Sequence, residues 1–236
     1  MSATVIPQYA ESLPPEETIA SKQQDLQDAQ QIVAGNAPEI ASPPDTMVVL
    51  PRGLRHEGAW HTESVVRELT GADEEVLARQ KNNEAIFTTV LALGVERIGK
   101  VTLSEMPLSD RMGALSSLLV GEREQLFLRI SIATYGDTRK ITYTCPACLE
   151  AGEVPLTLSQ DIKLPAMADP YTDYEYTTSK GRLVKFRLAT GADQEEAAVR
   201  PTLAEQNTIL LSECIISADG SPLVDPIGFA RNLSMR

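Results

Sequence analysis

Cysteine and histidine are scarce in this sequence, and basic clusters, long apolar runs and the short motifs of catalysis are missing from it. The three cysteines are an odd number, and without a secretion signal they argue against a disulfide framework and put metal or free-thiol readings first. No apolar stretch approaches the ~18 residues needed to span a bilayer, and the N-terminus lacks the basic flank and apolar run of a signal peptide. A cytoplasmic setting without membrane contact is therefore expected. Lys and Arg number 21 against 33 Asp and Glu, a net charge of −12, and no basic residues form a run, which argues against nucleic acid as a partner. There is no phosphate loop, no G-x-G-x-x-G, no G-x-S-x-G and no metalloprotease helix. No catalytic residue is assigned, a non-enzymatic protein is expected, and protein partners remain as the default.

What the sequence does have is an internal echo. Arg67-Glu68-Leu69-Thr70-Gly71-Ala72-Asp73-Glu74-Glu75 returns as Arg187-Leu188-Ala189-Thr190-Gly191-Ala192-Asp193-Gln194-Glu195. In each copy an alternating stretch (Val65, Arg67, Leu69; Val184, Phe186, Leu188) runs into Thr-Gly-Ala-Asp and then a helix-forming sequence. The threonine suits an N-cap and the aspartate follows three residues on, so each side chain can serve an orphan N–H of the first turn. Thr70, Asp73, Thr190 and Asp193 are read as structural caps rather than catalytic groups. Glu74, Glu75, Glu195 and Glu196 then sit where the helix dipole favours negative charge.

With 236 residues and 42% apolar content the chain can build one large core or two small ones. Residues 1–46 stand apart: Pro7, Pro14, Pro15, Pro38, Pro43 and Pro44 interrupt a stretch too polar to order alone. Within it a helix from Pro15 to Gly35 would carry Ile19, Leu26, Ile32 and Val33 as a sparse stripe, stopped by Gly35 and Pro38. It reads either as a solvated leader or as an arm that folds onto a partner through Ile19, Leu26 and Val33.

The remainder, 47–236, predicts an α+β domain. Two related β-hairpin-plus-helix units, 47–99 and 171–217, flank central helices within 104–136, and a small hairpin spans 139–164. In the first unit Met47 to Leu50 turns through Arg52-Gly53 and His56-Glu57-Gly58 and returns from Trp60 to Leu69, before a helix from Glu84 to Ile98. In the second, Asp173 to Thr178 turns at Ser179-Lys180-Gly181 and returns through Leu183 to Leu188, before a helix from Pro201 to Ile216 with Pro201 in its first turn. Between them Leu108-Ser109-Asp110-Arg111 opens one helix toward Val120-Gly121. A second runs from Glu122 to Tyr135, with Gly136 as its C-cap.

One constellation could carry chemistry. Cys145-Pro146-Ala147-Cys148 tips a hairpin like a zinc knuckle, in which two thiolates present sulfur to one tetrahedral metal. Half the ligands are missing, and Cys214, His56 and His61 lie at no spacing that implies convergence. Cys214 falls on an apolar helix face as a core cysteine. The pair therefore reads as a relic or incomplete knuckle without metal, zinc being the cofactor such a turn would take. A redox reading would need the motif to open a helix, whereas strands flank it here.

Several segments together resemble a known family: Val49-Leu50-Pro51-Arg52-Gly53, the two Thr-Gly-Ala-Asp motifs, the stretch from Glu122 through Tyr135-Gly136-Asp137, and the Cys145 to Cys148 tip. In order and content, from about residue 47 to 216, they are similar to the baseplate hub assembly chaperones of T-even-like phages and related contractile injection systems. The resemblance implies a non-enzymatic chaperone or minor hub component that binds baseplate hub or tape-measure proteins in the cell that makes the particle, or stays in the assembled baseplate. It also implies a C-terminal portion shortened at Leu233-Ser234-Met235-Arg236. The alternative is a zinc-knuckle-containing adaptor unrelated to tails.

Overall fold

The first sheet opens with a hairpin of β1 (Met47–His56) and β2 (Ala59–Val66). Its tight turn places Glu57 and Gly58 both at positive φ, the conformation that matches the twist of the flanking strands. The computed structural model describes residues 46–80, 83–163 and 169–233, with nothing given for the side chains of 83–85. These all belong to a unit beginning at Pro43, and Ile19, Leu26 and Val33 lie outside the described residues.

After the hairpin come α1 (Gly71–Leu77), α2 (Asn83–Gly94), β3 (Val95–Ile98) and β4 (Val101–Thr102). The four strands pair antiparallel in the order β1-β2-β3-β4. A short 3₁₀ turn leads into α3 (Leu108–Ser116) and α4 (Val120–Tyr135), followed by the two-stranded ribbon β5 (Thr138–Thr144) and β6 (Ala151–Thr157) and the single turn α5 (Leu158–Asp161). The first succession then repeats: β7 (Tyr174–Thr177), β8 (Leu183–Phe186), α6 (Gly191–Ala198), α7 (Leu203–Cys214), β9 (Ile215–Ala218), β10 (Ser221–Pro222), and finally α8 (Pro226–Arg231). Its sheet has the order β7-β8-β9-β10. The fold is α+β, with helices interspersed among strands that pair antiparallel.

The two repeats correspond in their strand pairing. Ser64 pairs with Ile98 as Val184 pairs with Ala218, and Val66 pairs with Val95 as Phe186 pairs with Ile215, each after a register shift one residue earlier. The Arg67 N–H donates to the Gly94 carbonyl at 2.8 Å, and the Arg187 N–H to the Cys214 carbonyl at 3.0 Å. Gly94 and Cys214 thus occupy the same place in the two copies.

Both long helices end sooner than the sequence suggests. Leu91, Val95 and Ile98 keep helical spacing, as do Leu211, Ile215 and Ala218, so apolar period alone cannot separate helix from strand there. Pairing with β2 and β8 decides for strand. Pro201 lies just outside its helix, because the Thr202 side chain accepts the Glu205 N–H at 3.2 Å and is the true N-cap. Likewise α4 starts at Val120 because the Glu122 carboxylate accepts the Leu119 N–H at 3.0 Å.

The main core lies between the first sheet and its helices. Leu50, Leu91, Ile98, Leu115, Leu126 and Ile130 are essentially sealed from solvent, each side chain contributing roughly 1.5–3 kcal/mol on burial. Helix α4 packs across β1, β2 and α2. Its contact with α2 is close enough that a Cβ on Gly94 would lie 2.6 Å from Ile130 Cδ1.

Candidate functional site

The two Thr-Gly-Ala-Asp motifs form capping boxes. In the first, the Thr70 N–H donates to Asp73 Oδ2 at 2.8 Å and the Thr70 hydroxyl donates to the same oxygen at 2.9 Å. In the second, the Thr190 N–H and hydroxyl each reach Asp193 Oδ2 at 2.8 Å. Each carboxylate is also gripped by an arginine that the capping pattern leaves out. Arg67 donates through both Nη atoms to Asp73 at 2.8 and 2.9 Å, and Arg187 does so to Asp193 at 2.6 and 2.8 Å. The signal was available in sequence, since both copies place an arginine three residues before the threonine. Hydrogen bonds from Arg67, with those from Thr70, hold the Asp73 carboxyl down to about 2. Burial pushes the Asp193 carboxyl up, but Arg187 and Thr190 outweigh it and the net shift is downward. Planar two-point pairing of this kind orients a turn, and it leaves neither carboxylate available as a proton acceptor at neutral pH.

The second motif does more than cap. The Gly191 N–H donates to the Leu118 carbonyl at 2.9 Å, and the Val120 N–H to the Ala189 carbonyl at 3.1 Å. Through this short bridge the start of α6 docks on the junction of α3 and α4. Glu195 does not simply face the helix dipole. It accepts from Thr88 at 2.6 Å, from Ser116 at 2.8 and 3.0 Å, and from Arg123 at 3.1 Å. Arg123 is fully buried and lies over the Phe87 ring at 5.2 Å. Buried Glu122 next to it accepts the Gly53 N–H at 2.6 Å and the Arg52 N–H, holding the bulge in β1. These charges are placed to fix the junction of the two repeats, at a desolvation cost that only their hydrogen bonds offset.

Cys145 and Cys148 occupy the turn of the β5–β6 ribbon. The Leu149 N–H donates to the Cys145 carbonyl at 2.8 Å and the Cys145 N–H to the Glu150 carbonyl at 2.9 Å, with Leu149 at φ 61°. Backbone N–H groups of Cys148 and Ala147 aim at the Cys145 sulfur and lower its thiol pKa. The donor set stops there: among the described residues no group of three or more His, Cys, Asp or Glu could hold a metal ion. Two thiols on one turn do not make a closed tetrahedral site. His56 and His61 lie near each other, ring centroids 6.3 Å apart, in the first hairpin. Cys214 is buried at the end of α7, and burial pushes its thiol up to about 11.

A concave apolar surface of the second repeat lies elsewhere. Tyr176, Val184 and Phe186 of its sheet and Leu211, Cys214 and Ile215 at the end of its helix line an open cavity of about 370 Å³. Leu233, just after α8, also lines it, and among the described residues its hydroxyl side chains are those of Tyr176, Thr178 and Ser179. Periodicity marked Cys214 as part of a core stripe but could not show that this face stays open.

Two related antiparallel sheets are joined through helices that buried Arg123 and half-buried Glu195 hold together, and among the described residues part of one apolar face stays exposed. The family model described as T4 bacteriophage base plate protein matches residues 58–221, which takes in most of both repeats and all that lies between them. The chain belongs to that family and is a phage baseplate-related protein. No curated protein matches it and no solved structure matches it. Among the described residues, no helix is long and apolar enough to cross a membrane.

Proposed function

We propose that the protein acts in building the baseplate hub, as an assembly chaperone or minor hub component, by binding hub or tape-measure proteins and without chemistry or a cofactor of its own. The observation that carries this reading is the open apolar face of the second repeat on a chain of the baseplate family. A contiguous apolar hollow on an acidic protein is what a protein partner covers. The surplus of negative charge limits off-target association. The rigid junction around Arg123 and Glu195 favours a preformed surface, which reduces the ordering cost of association.

The test is co-expression of the full-length chain with each hub, tape-measure and baseplate protein of the same particle, followed by pull-down. Stable capture of one of them is expected, and capture of none would sink the reading. Deleting residues 1–46 in the same assay asks whether the stripe of Ile19, Leu26 and Val33 contributes. Equal capture by the truncated chain would remove the arm while leaving the assembly role in place.

A further inference from the structure

The cavity of the second repeat gains its meaning from the first. Tyr176 holds the place of Val48, each paired across the hairpin with the counterpart residues Val184 and Ser64. Phe186 holds the place of Val66, Leu211 that of Leu91, and Cys214 that of Gly94. In the first repeat this face is sealed: Val48 is 4% exposed and Leu91 0%. In the second, Tyr176 is 57% exposed and Leu211 45%. What covers the first is helix α4, whose Ile130 rests on Gly94.

A polar detail repeats the pattern. The main-chain N–H of Leu69, beside the first face, donates to Thr134 Oγ1 of α4 at 3.0 Å. Its counterpart Ala189 N–H has no acceptor among the described residues, although the Ala189 carbonyl is engaged by Val120. A main-chain donor of this kind gains from a partner that desolvates and satisfies it together.

We propose that the open face is the seat of one amphipathic helix supplied by a baseplate partner, lying where α4 lies in the first repeat. The helix carries a small residue over Cys214, larger apolar side chains one turn to either side, and a hydroxyl or carbonyl that accepts the Ala189 N–H. This mode, an apolar helical face set into a groove, reads as anchors at i, i+3 or i+4 and i+7. The occupant is a different chain rather than α4 of a second copy. Ile130 fits over Gly94 because that position has no side chain, and a Cβ there would already stand 2.6 Å from it; Cys214 has both Cβ and Sγ. Phe186 and Tyr176 in place of two valines also make the seat shallower, which again selects smaller side chains at the helix centre.

The inference rests on the assembly reading, and the experiment separates their failures. A photo-cross-linking amino acid replaces Leu211 in the full-length chain, which is co-expressed with each hub, tape-measure and baseplate protein of the particle, and cross-linked peptides are mapped. Pull-downs with Leu211→Glu, Tyr176→Glu and, as a control on another exposed apolar side chain, Val224→Glu run in parallel, with melting curves to establish that each variant folds. Cross-links should fall on one apolar helical face of one partner. Capture should drop about tenfold or more for Leu211→Glu and Tyr176→Glu, the scale of a central interface anchor, and stay unchanged for Val224→Glu. Undiminished capture by both folded variants would overturn the helix seat and leave the assembly role standing. Cross-links to residues 1–45 of the same chain, or to a second copy, would also overturn it by naming a different occupant. Absence of any captured tail protein would bring down the assembly reading and this inference together.

Discussion

Gly191 lies directly against Arg123, so that a Cβ on Gly191 would fall inside the guanidinium, whereas a Cβ on Gly71 would meet nothing within 4 Å. The two glycines stand at the same place in the same motif. One is packed against the buried arginine of α4 and the other faces open space.

Gly71→Ala should therefore be nearly silent and Gly191→Ala damaging. The first adds a methyl to a first-turn position with room for it, where alanine is the better helix former. The second forces Arg123 out of its seat, and about 1–3 kcal/mol of destabilisation is expected, as for overpacking. Urea midpoints of the two variants check this, and equal midpoints would contradict the docked geometry.

Gly94→Ala should cost a similar ~1–3 kcal/mol, because the new Cβ meets Ile130 Cδ1 at 2.6 Å. Pairing it with Ile130→Val should recover part of the loss. Additive destabilisation in the double variant would show that the two residues do not share that space.

Thr70→Ala and Thr190→Ala should each lower stability by ~1 kcal/mol, the usual loss at an N-cap. Removing a carboxylate should cost more, since an arginine loses its partner as well. Asp73→Asn adds a dependence on pH. The carboxyl sits at about 2 in the folded protein against an ordinary 3.8, so its stabilising contribution is complete above about pH 4 and is lost as pH falls through 2. The gap between wild type and Asp73→Asn in chemical denaturation should therefore be constant near neutrality and shrink between pH 4 and 2. A gap that widened on acidification would reverse the assignment.

Removing Glu195 by Glu195→Ala should destabilise by about 3 kcal/mol, since it leaves Arg123 buried without that carboxylate. Arg123→Met together with Glu195→Ala should cost less than the sum of the two single changes. A double-mutant cycle on thermal or urea unfolding measures the coupling.

Zinc added to the purified monomer should not bind stoichiometrically through dialysis against a chelator, because Cys145 and Cys148 leave half of a tetrahedral shell to water. Elemental analysis decides it. Retention of one zinc per chain would point to ligands outside the described residues or from a second molecule.

The sequence by itself determined the duplication, because Thr-Gly-Ala-Asp is a local device whose hydrogen bonds close within a few residues and so leave a readable trace. It likewise determined the α+β class, the long amphipathic helix ending at Tyr135, and the burial of Cys214, all set by spacing along one element. Tertiary structure alone decided that Val95–Ile98 and Ile215–Ala218 are strands, since their apolar spacing suits a helix equally well and only pairing with β2 and β8 satisfies their backbone. It also decided that Glu195 meets Thr88, Ser116 and Arg123, residues far from it in the chain. Above all it decided that, among the described residues, one of two like faces is covered by a helix and the other is left partly exposed. The residues lining them are apolar in both copies, and whether a helix lies across them depends on where the chain carries α4, which no local pattern encodes.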